Sequence, residues 1–174
     1  MRCGAARLLQ RGTTRTLGCT GNDRTPMKRY TAKTFQPDAS DLNHEAYLQG
    51  CRLFKAAKYK KAIKAFDEAV SYWPKDGQAW MALGNCYDEL RRPVDAEKCL
   101  RRALAYYGKK DRAAVQFNLG NSLFDQERYK EAIEHYEQVP KSSDVFDKAR
   151  KNSLMAEEYA REQQIAKKGA KRAA

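Results

Sequence analysis

Asparagine amides carry a donor and an acceptor on one flat group, which suits them to holding the backbone of an extended peptide. Asn85, Asn118 and Asn121 are the candidates here. Tyr47, Cys51, Phe54, Met81, Phe117 and Phe124 would line the same groove with aromatic and apolar surface, and Asp88, Glu89 and Asp125 would add a mildly acidic side. Such a set binds protein segments, preferably apolar or mildly basic ones. The amides could equally tie neighbouring helices together, and both readings stand at this point. Bond-making chemistry has no support. The chain shows no glycine-rich phosphate loop before a Lys-Ser/Thr pair, no nucleophile elbow and no zinc motif. His44 and His135 lie outside any ligand spacing. The cysteines Cys3, Cys19, Cys51, Cys86 and Cys99 are odd in number and lack a Cys-x-x-Cys pair, which argues for small, reduced, mostly buried thiols. Carboxylates alternate with bases, as in Asp95 with Lys98, so they read as a paired, solvated surface. The expectation is a non-enzymatic protein with no cofactor, no metal site and no small-molecule substrate.

The elements that position these residues must fit into 174 residues, room for one ordinary domain. The apolar fraction of 42% allows a real core. No apolar run approaches the roughly 20 residues that span a bilayer. Lys and Arg number 34 and Asp and Glu 22, a net charge of +12. The excess sits mainly at the ends: residues 1–42 and 141–174 are both strongly basic, while 43–140 are nearly balanced. Basic extensions on a balanced globule suit acidic partners, RNA among them.

The first acid is Asp23, after Arg2, Arg7, Arg11 and Arg15 and several threonines. An acid-free, Arg-rich, hydroxyl-rich start predicts a mitochondrial transit peptide over residues 1–22, or failing that a basic arm. Residues 23–42, with Pro26 and Pro37, predict an extended linker, with Asp41 as the cap of the helix that follows.

The chain repeats. Gly50, Gly84 and Gly120 each lead a matching series: Leu53, Tyr87 and Leu123; Ala62, Ala96 and Ala132; Phe66, Leu100 and Tyr136; Ala69, Ala103 and Val139. Each unit has two stretches of 3–4 spacing around a short break, which predicts helix–turn–helix units. Helix A falls near 43–56, 77–90 and 113–126, and helix B near 60–73, 94–107 and 130–139. Glycine in a helix costs on the order of 1 kcal/mol against alanine, so three of them in register imply close helix contact.

These columns resemble the tetratricopeptide repeat family. The middle unit is the fullest match, with Trp80, Leu83, Gly84, Tyr87, Ala96, Leu100 and Ala103; Ala46 and Gln116 stand where the family prefers Trp. The resemblance implies an all-α fold, an α-solenoid of three units at 43–76, 77–110 and 113–140. Residues 141–174 follow as a capping helix with a basic frayed tail, carrying the stripe Phe146, Ala149, Ser153, Ala156 and Ala160. The resemblance also implies that helix A lines the concave face. Family members that grip the acidic tails of heat-shock chaperones do so with a clamp of Lys, Asn and Arg. The matching positions in the three units are Tyr47, Cys51, Ala82, Ala114 and Asn118, with no base among them, which argues against that clamp. On helix B, Lys60, Lys61, Lys64, Lys98, Arg101 and Arg102 make a basic convex end, answered by Glu131, Glu134 and Glu137.

The function expected from the sequence is an adaptor or scaffold, subunit or assembly factor of a larger mitochondrial complex, binding protein partners in its groove. The alternatives are a mitochondrial ribosomal or other ribonucleoprotein component touching RNA through its basic tails, and a cytosolic co-chaperone.

Overall fold

The computed structural model describes residues 39–108 and 112–173. Within them are seven helices and no strand: α1 (Ala39–Lys55), α2 (Tyr59–Tyr72), α3 (Gly77–Glu89), α4 (Pro93–Tyr106), α5 (Ala113–Asp125), α6 (Tyr129–Glu137) and α7 (Phe146–Ala173). The fold is an all-α solenoid of three helical hairpins closed by α7. The transit-peptide expectation for residues 1–22 and most of the linker expectation lie outside the described residues. Residues 39–42, expected at the end of the linker, belong instead to α1, which begins at Ala39 and places Asp41 inside its first turn.

Each hairpin closes in the same way. The helix A to helix B turn passes through a left-handed residue: Ala57 (φ 55°), Arg91 (φ 59°) and Glu127 (φ 63°). The following amide reaches back to helix A, Lys58 N to Leu53 O, Arg92 N to Tyr87 O and Arg128 N to Leu123 O, all within 3.0 Å. This is the Schellman pattern that satisfies the last carbonyls of a helix. At the start of α3, Asp76 Oδ1 accepts from the backbone N–H of Gln78 and Ala79, at 2.9 and 3.0 Å. Asn43 Nδ2 donates to Asp76 Oδ2 at 3.1 Å and to Ala69 O at 2.9 Å, tying unit one to unit two.

The register glycines are buried where helix B crosses helix A. A Cβ on Gly50 would stand 2.5 Å from the Phe66 ring, on Gly84 2.7 Å from Leu100 Cγ, and on Gly120 2.5 Å from the Tyr136 ring. No side chain fits there. Phe66, Leu100 and Tyr136 are themselves buried, as are Ala62, Ala96 and Ala132 beneath them.

Helix α7 runs to Ala173, so the basic end KKGAKRAA, expected to fray, is helical as far as Ala173. Its polar character reflects exposure rather than disorder, since helix formation needs no apolar face where Ala, Lys, Glu, Gln and Arg dominate. Ser143 Oγ accepts from Val145 N at 3.3 Å just ahead of it. The expected stripe packs: Ala149, Ser153 and Ala156 are buried and Phe146 and Ala160 half-buried, joined by Val145 and Asn152. None of the described helices is long and apolar enough to cross a membrane.

Candidate functional site

First helices of successive hairpins touch: α1 meets α3, α3 meets α5, and α5 meets α7. The second helices α2, α4 and α6 fill the gaps between hairpins without comparable contact among themselves. A stack that closes up on one side and opens on the other curves, so α1, α3, α5 and α7 line its concave face.

Polar side chains hold that row in register. Asn118 Nδ2 donates to Asn85 Oδ1 at 2.8 Å, between α3 and α5. Asn152 Nδ2 donates to Asn121 Oδ1 at 2.9 Å, between α5 and α7. The second bond repeats the first one helix further along, so α7 takes the place of a fourth helix A. Ser122 Oγ donates to Asp88 Oδ1 at 2.9 Å, and Tyr136 Oη donates to Asn121 Oδ1 at 2.8 Å. Asn85, Asp88, Asn118, Asn121, Ser122 and Asn152 are all buried. The hydrogen bonds within the row offset part of the cost of burying these amides and the Asp88 carboxylate.

The residues expected to line the groove are brought together on these helices, but they do not form an aromatic surface facing water. Tyr47, Cys51, Met81, Asn85, Asn118, Asn121 and Phe124 are buried, and Phe54 and Phe117 are half-buried. The rings pack within or between hairpins. Tyr47 lies 5.7 Å from Phe66, Phe54 5.3 Å from Tyr59 and Phe117 6.1 Å from Tyr136, centroid to centroid. Phe124 meets Tyr129 at 5.1 Å and Tyr159 of α7 at 5.5 Å. Pairing of rings edge-on or tilted adds to their apolar burial, which is why these positions belong to the core first. Within the same row His44, Leu48, Lys55 and Gln78 are exposed, and Glu89, Ala114, Asp125 and Lys148 are half-buried.

The first turns of the row, His44, Gln78, Ala114 and Lys148, are neutral to basic. The last turns, with Asp88, Glu89, Asp125 and Glu158 against a single Lys55, are acidic. Lys148, Lys151 and Asn152 entered this row only through α7. Their signal was hidden because α7 has Leu154, not glycine, at the repeat register.

The convex face carries an ion-pair network across hairpins two and three. Glu97 binds Arg101 at 2.8 Å and Arg128 at 2.6 Å, and Gln126 Nε2 donates to Glu97 Oε2 at 2.9 Å. These partners hold the Glu97 carboxyl below its usual range despite the opposing effect of burial. Lys60, Lys61 and Lys64 are exposed, as are Lys98, Arg101 and Arg102. Arg102 lies over the Trp80 ring at 4.6 Å.

Cys51, Cys86 and Cys99 are buried and form no disulfide, and burial pushes Cys86 and Cys99 up to about 12. Thiols held that far from the thiolate are inert toward metals and electrophiles. His135, held by Gln116 Oε1 at 2.6 Å, has its pKa lowered by burial. Among the described residues no group of three or more His, Cys, Asp or Glu could hold a metal ion.

Residues 53–116 and 113–139 match the tetratricopeptide repeat family. Hsp70-Hsp90 organizing protein 1 of Glycine max is 32% identical over 122 residues, a match covering 67% of this chain and 20% of that protein. The chain thus spans about a fifth of the length of the curated relatives it matches. Among solved structures, the TPR2B domain of yeast Sti1, in complex with an Hsp70 peptide, has a TM-score of 0.62 at 15% identity, covering 67% of this chain and 96% of that one. The second TPR domain of human RPAP3, in complex with the HSP70 peptide SGPTIEEVD, has a TM-score of 0.59 at 16% identity, covering 66% and 98%. At such identities the structural likeness speaks for the fold.

Proposed function

Since the chain belongs to the tetratricopeptide repeat family, we propose that it is an adaptor whose concave face takes the acidic carboxyl-terminal segment of an Hsp70- or Hsp90-type chaperone. One observation carries this reading: the Asn121–Asn152 bond repeats the Asn85–Asn118 bond and makes α7 a fourth concave helix. Across the three hairpins alone, the clamp positions Tyr47, Cys51, Ala82, Ala114 and Asn118 hold no base. Moved one helix along, the same five positions hold Met81, Asn85, Asn118, Lys148 and Asn152. By register the two amides Asn85 and Asn118 are joined in this set by a lysine, the kind of group that pairs with a terminal carboxylate. Met81 and Asn152 put no charge where a full clamp of Lys, Asn and Arg has one, so the expected affinity is modest. The names of the curated relatives, and the EEVD ending of the peptide held by the RPAP3 domain, favour the same ligand class.

Fluorescence anisotropy tests it with labelled SGPTIEEVD as probe. The free acid binds the full chain, the carboxamide form binds at least about tenfold more weakly, and Lys148→Ala gives a comparable loss. A charge-assisted pair of this kind is worth roughly 1.5–3 kcal/mol, and each 1.4 kcal/mol is tenfold. Equal binding of acid and amide, or full binding by Lys148→Ala, contradicts the proposal.

The chaperone reading favours the cytoplasm over the mitochondrion as the working compartment. The import reading of residues 1–22 remains its rival, resting on their acid-free, Arg-rich composition. Residues 1–40 fused to a fluorescent reporter separate the two. A diffuse cytosolic signal is the outcome this reading predicts, and mitochondrial accumulation restores the first expectation.

A further inference from the structure

At the repeat register every hairpin's helix A has a glycine that admits the ring or leucine of helix B, yet in α7 that register holds Leu154, 58% exposed. A helix B cannot pack at its usual closeness there, so α7 ends the array rather than opening a fourth hairpin. The face around Leu154 nevertheless has structure. Asp147, Arg150, Lys151, Glu158, Arg161 and Ile165 surround it at helical spacing, all exposed, with Glu157 half-buried. Ile165, 70% exposed, projects from the same side. Beside Leu154 runs a groove of about 320 Å³ walled by Tyr136, Phe146 and Ser153.

The charges on this face are arranged symmetrically about Leu154. Three residues before it stands Lys151 and three after it Glu157. Four before stands Arg150 and four after Glu158. Seven before stands Asp147 and seven after Arg161. Each pair is opposite in sign. An antiparallel copy of α7, turned about a twofold axis through Leu154, therefore meets complementary charge at every one of these positions. A parallel copy would set like on like.

We propose that the α7 face is a docking surface for a second copy of this chain, in an antiparallel twofold pair centred on Leu154. The interface is isologous, so each of the three pairings occurs twice. The Leu154 side chains meet on the axis. Ile165 of each copy falls one turn from the other's Phe146, at the mouth of the groove. Within this face Arg161 pairs with Glu157 at 3.1 Å, an exposed i,i+4 pair that is worth little and readily exchanged. One helix pair buries less than the usual stable interface, so the association is weak and concentration-dependent. The pairing shares Lys151 and Glu158 with the edge of the concave face, while Lys148 and Asn152 lie further round α7 from Leu154.

Sedimentation equilibrium of the full chain tests it across the micromolar to millimolar range. The wild type shifts from one chain toward two as concentration rises, and added salt weakens the shift. Leu154→Glu stays monomeric. Arg150→Glu and Glu158→Arg each weaken dimerisation by at least about tenfold, because each sets two like-charge contacts across the axis. The double variant Arg150→Glu with Glu158→Arg regains wild-type dimerisation. All three sites are exposed, so helicity by circular dichroism stays unchanged. A wild type that remains monomeric at the highest concentration overturns the proposal. So does a dimer indifferent to these substitutions, or a double variant no better than the singles.

Discussion

Gly84→Leu is expected to abolish the cooperative thermal transition of the whole array. Gly84 is buried on α3 at the point where α4 crosses, and even a single methyl there would stand 2.7 Å from Leu100 Cγ and 3.3 Å from Ala96 O. The first contact could be relieved by turning Leu100, but Leu100 is fully buried and has nowhere to go. The second is with backbone. Overpacking of this kind costs roughly 1–3 kcal/mol for added methylenes and more when backbone must separate. A solenoid is held together by contacts between neighbours, so opening the middle hairpin strips the first and third of their shared partner. The check is thermal melting followed by circular dichroism. Loss or severe broadening of the transition is the expected result, and an unchanged melt removes the close-contact account of the glycine columns.

The second large effect is expected at Asn121. Its Oδ1 accepts from Tyr136 Oη within the third hairpin and from Asn152 Nδ2 on α7. Asn121→Ala leaves both donors buried, and each such loss costs about 1–3 kcal/mol. For a chain of this size that lowers the melting temperature by roughly 10 °C. Adding Tyr136→Phe removes one stranded hydroxyl and recovers part of the loss, a non-additivity expected of residues in one network. A melting temperature within a degree or two of wild type would mean that the asparagine row does not hold α7 in place.

The repeat was legible because it rests on packing that only certain residues satisfy. Glycine at the crossing, alanine beneath it, and a large apolar residue opposite recur wherever a hairpin closes, and Gly50, Gly84 and Gly120 announce all three. The role of α7 was not legible by self-comparison, since Leu154 breaks the glycine column and the helix has no helix B to complete the pattern. Without α7 the clamp positions were compared across the three hairpins alone, and Lys148 went unconsidered. The aromatic residues misled for a related reason. Phe54 and Phe124 sit at inward-facing positions of helix A, but each meets a tyrosine that opens the next helix, Tyr59 and Tyr129. That contact runs across the turn, which helical periodicity alone does not register. The asparagines carried both readings in the sequence. Their mutual bonds are now visible, and their role toward a ligand is the proposal that the peptide titration tests.

The most direct measurement is an NMR titration of the isotope-labelled full chain with unlabelled SGPTIEEVD. If the concave face of α3, α5 and α7 holds the terminal carboxylate, the largest amide and side-chain shifts gather at Asn85, Asn118, Lys148 and Asn152, and they vanish with the carboxamide peptide. Shifts gathered instead around Lys60, Lys64 and Arg101 on the convex face, or no saturable shift at all, would contradict it.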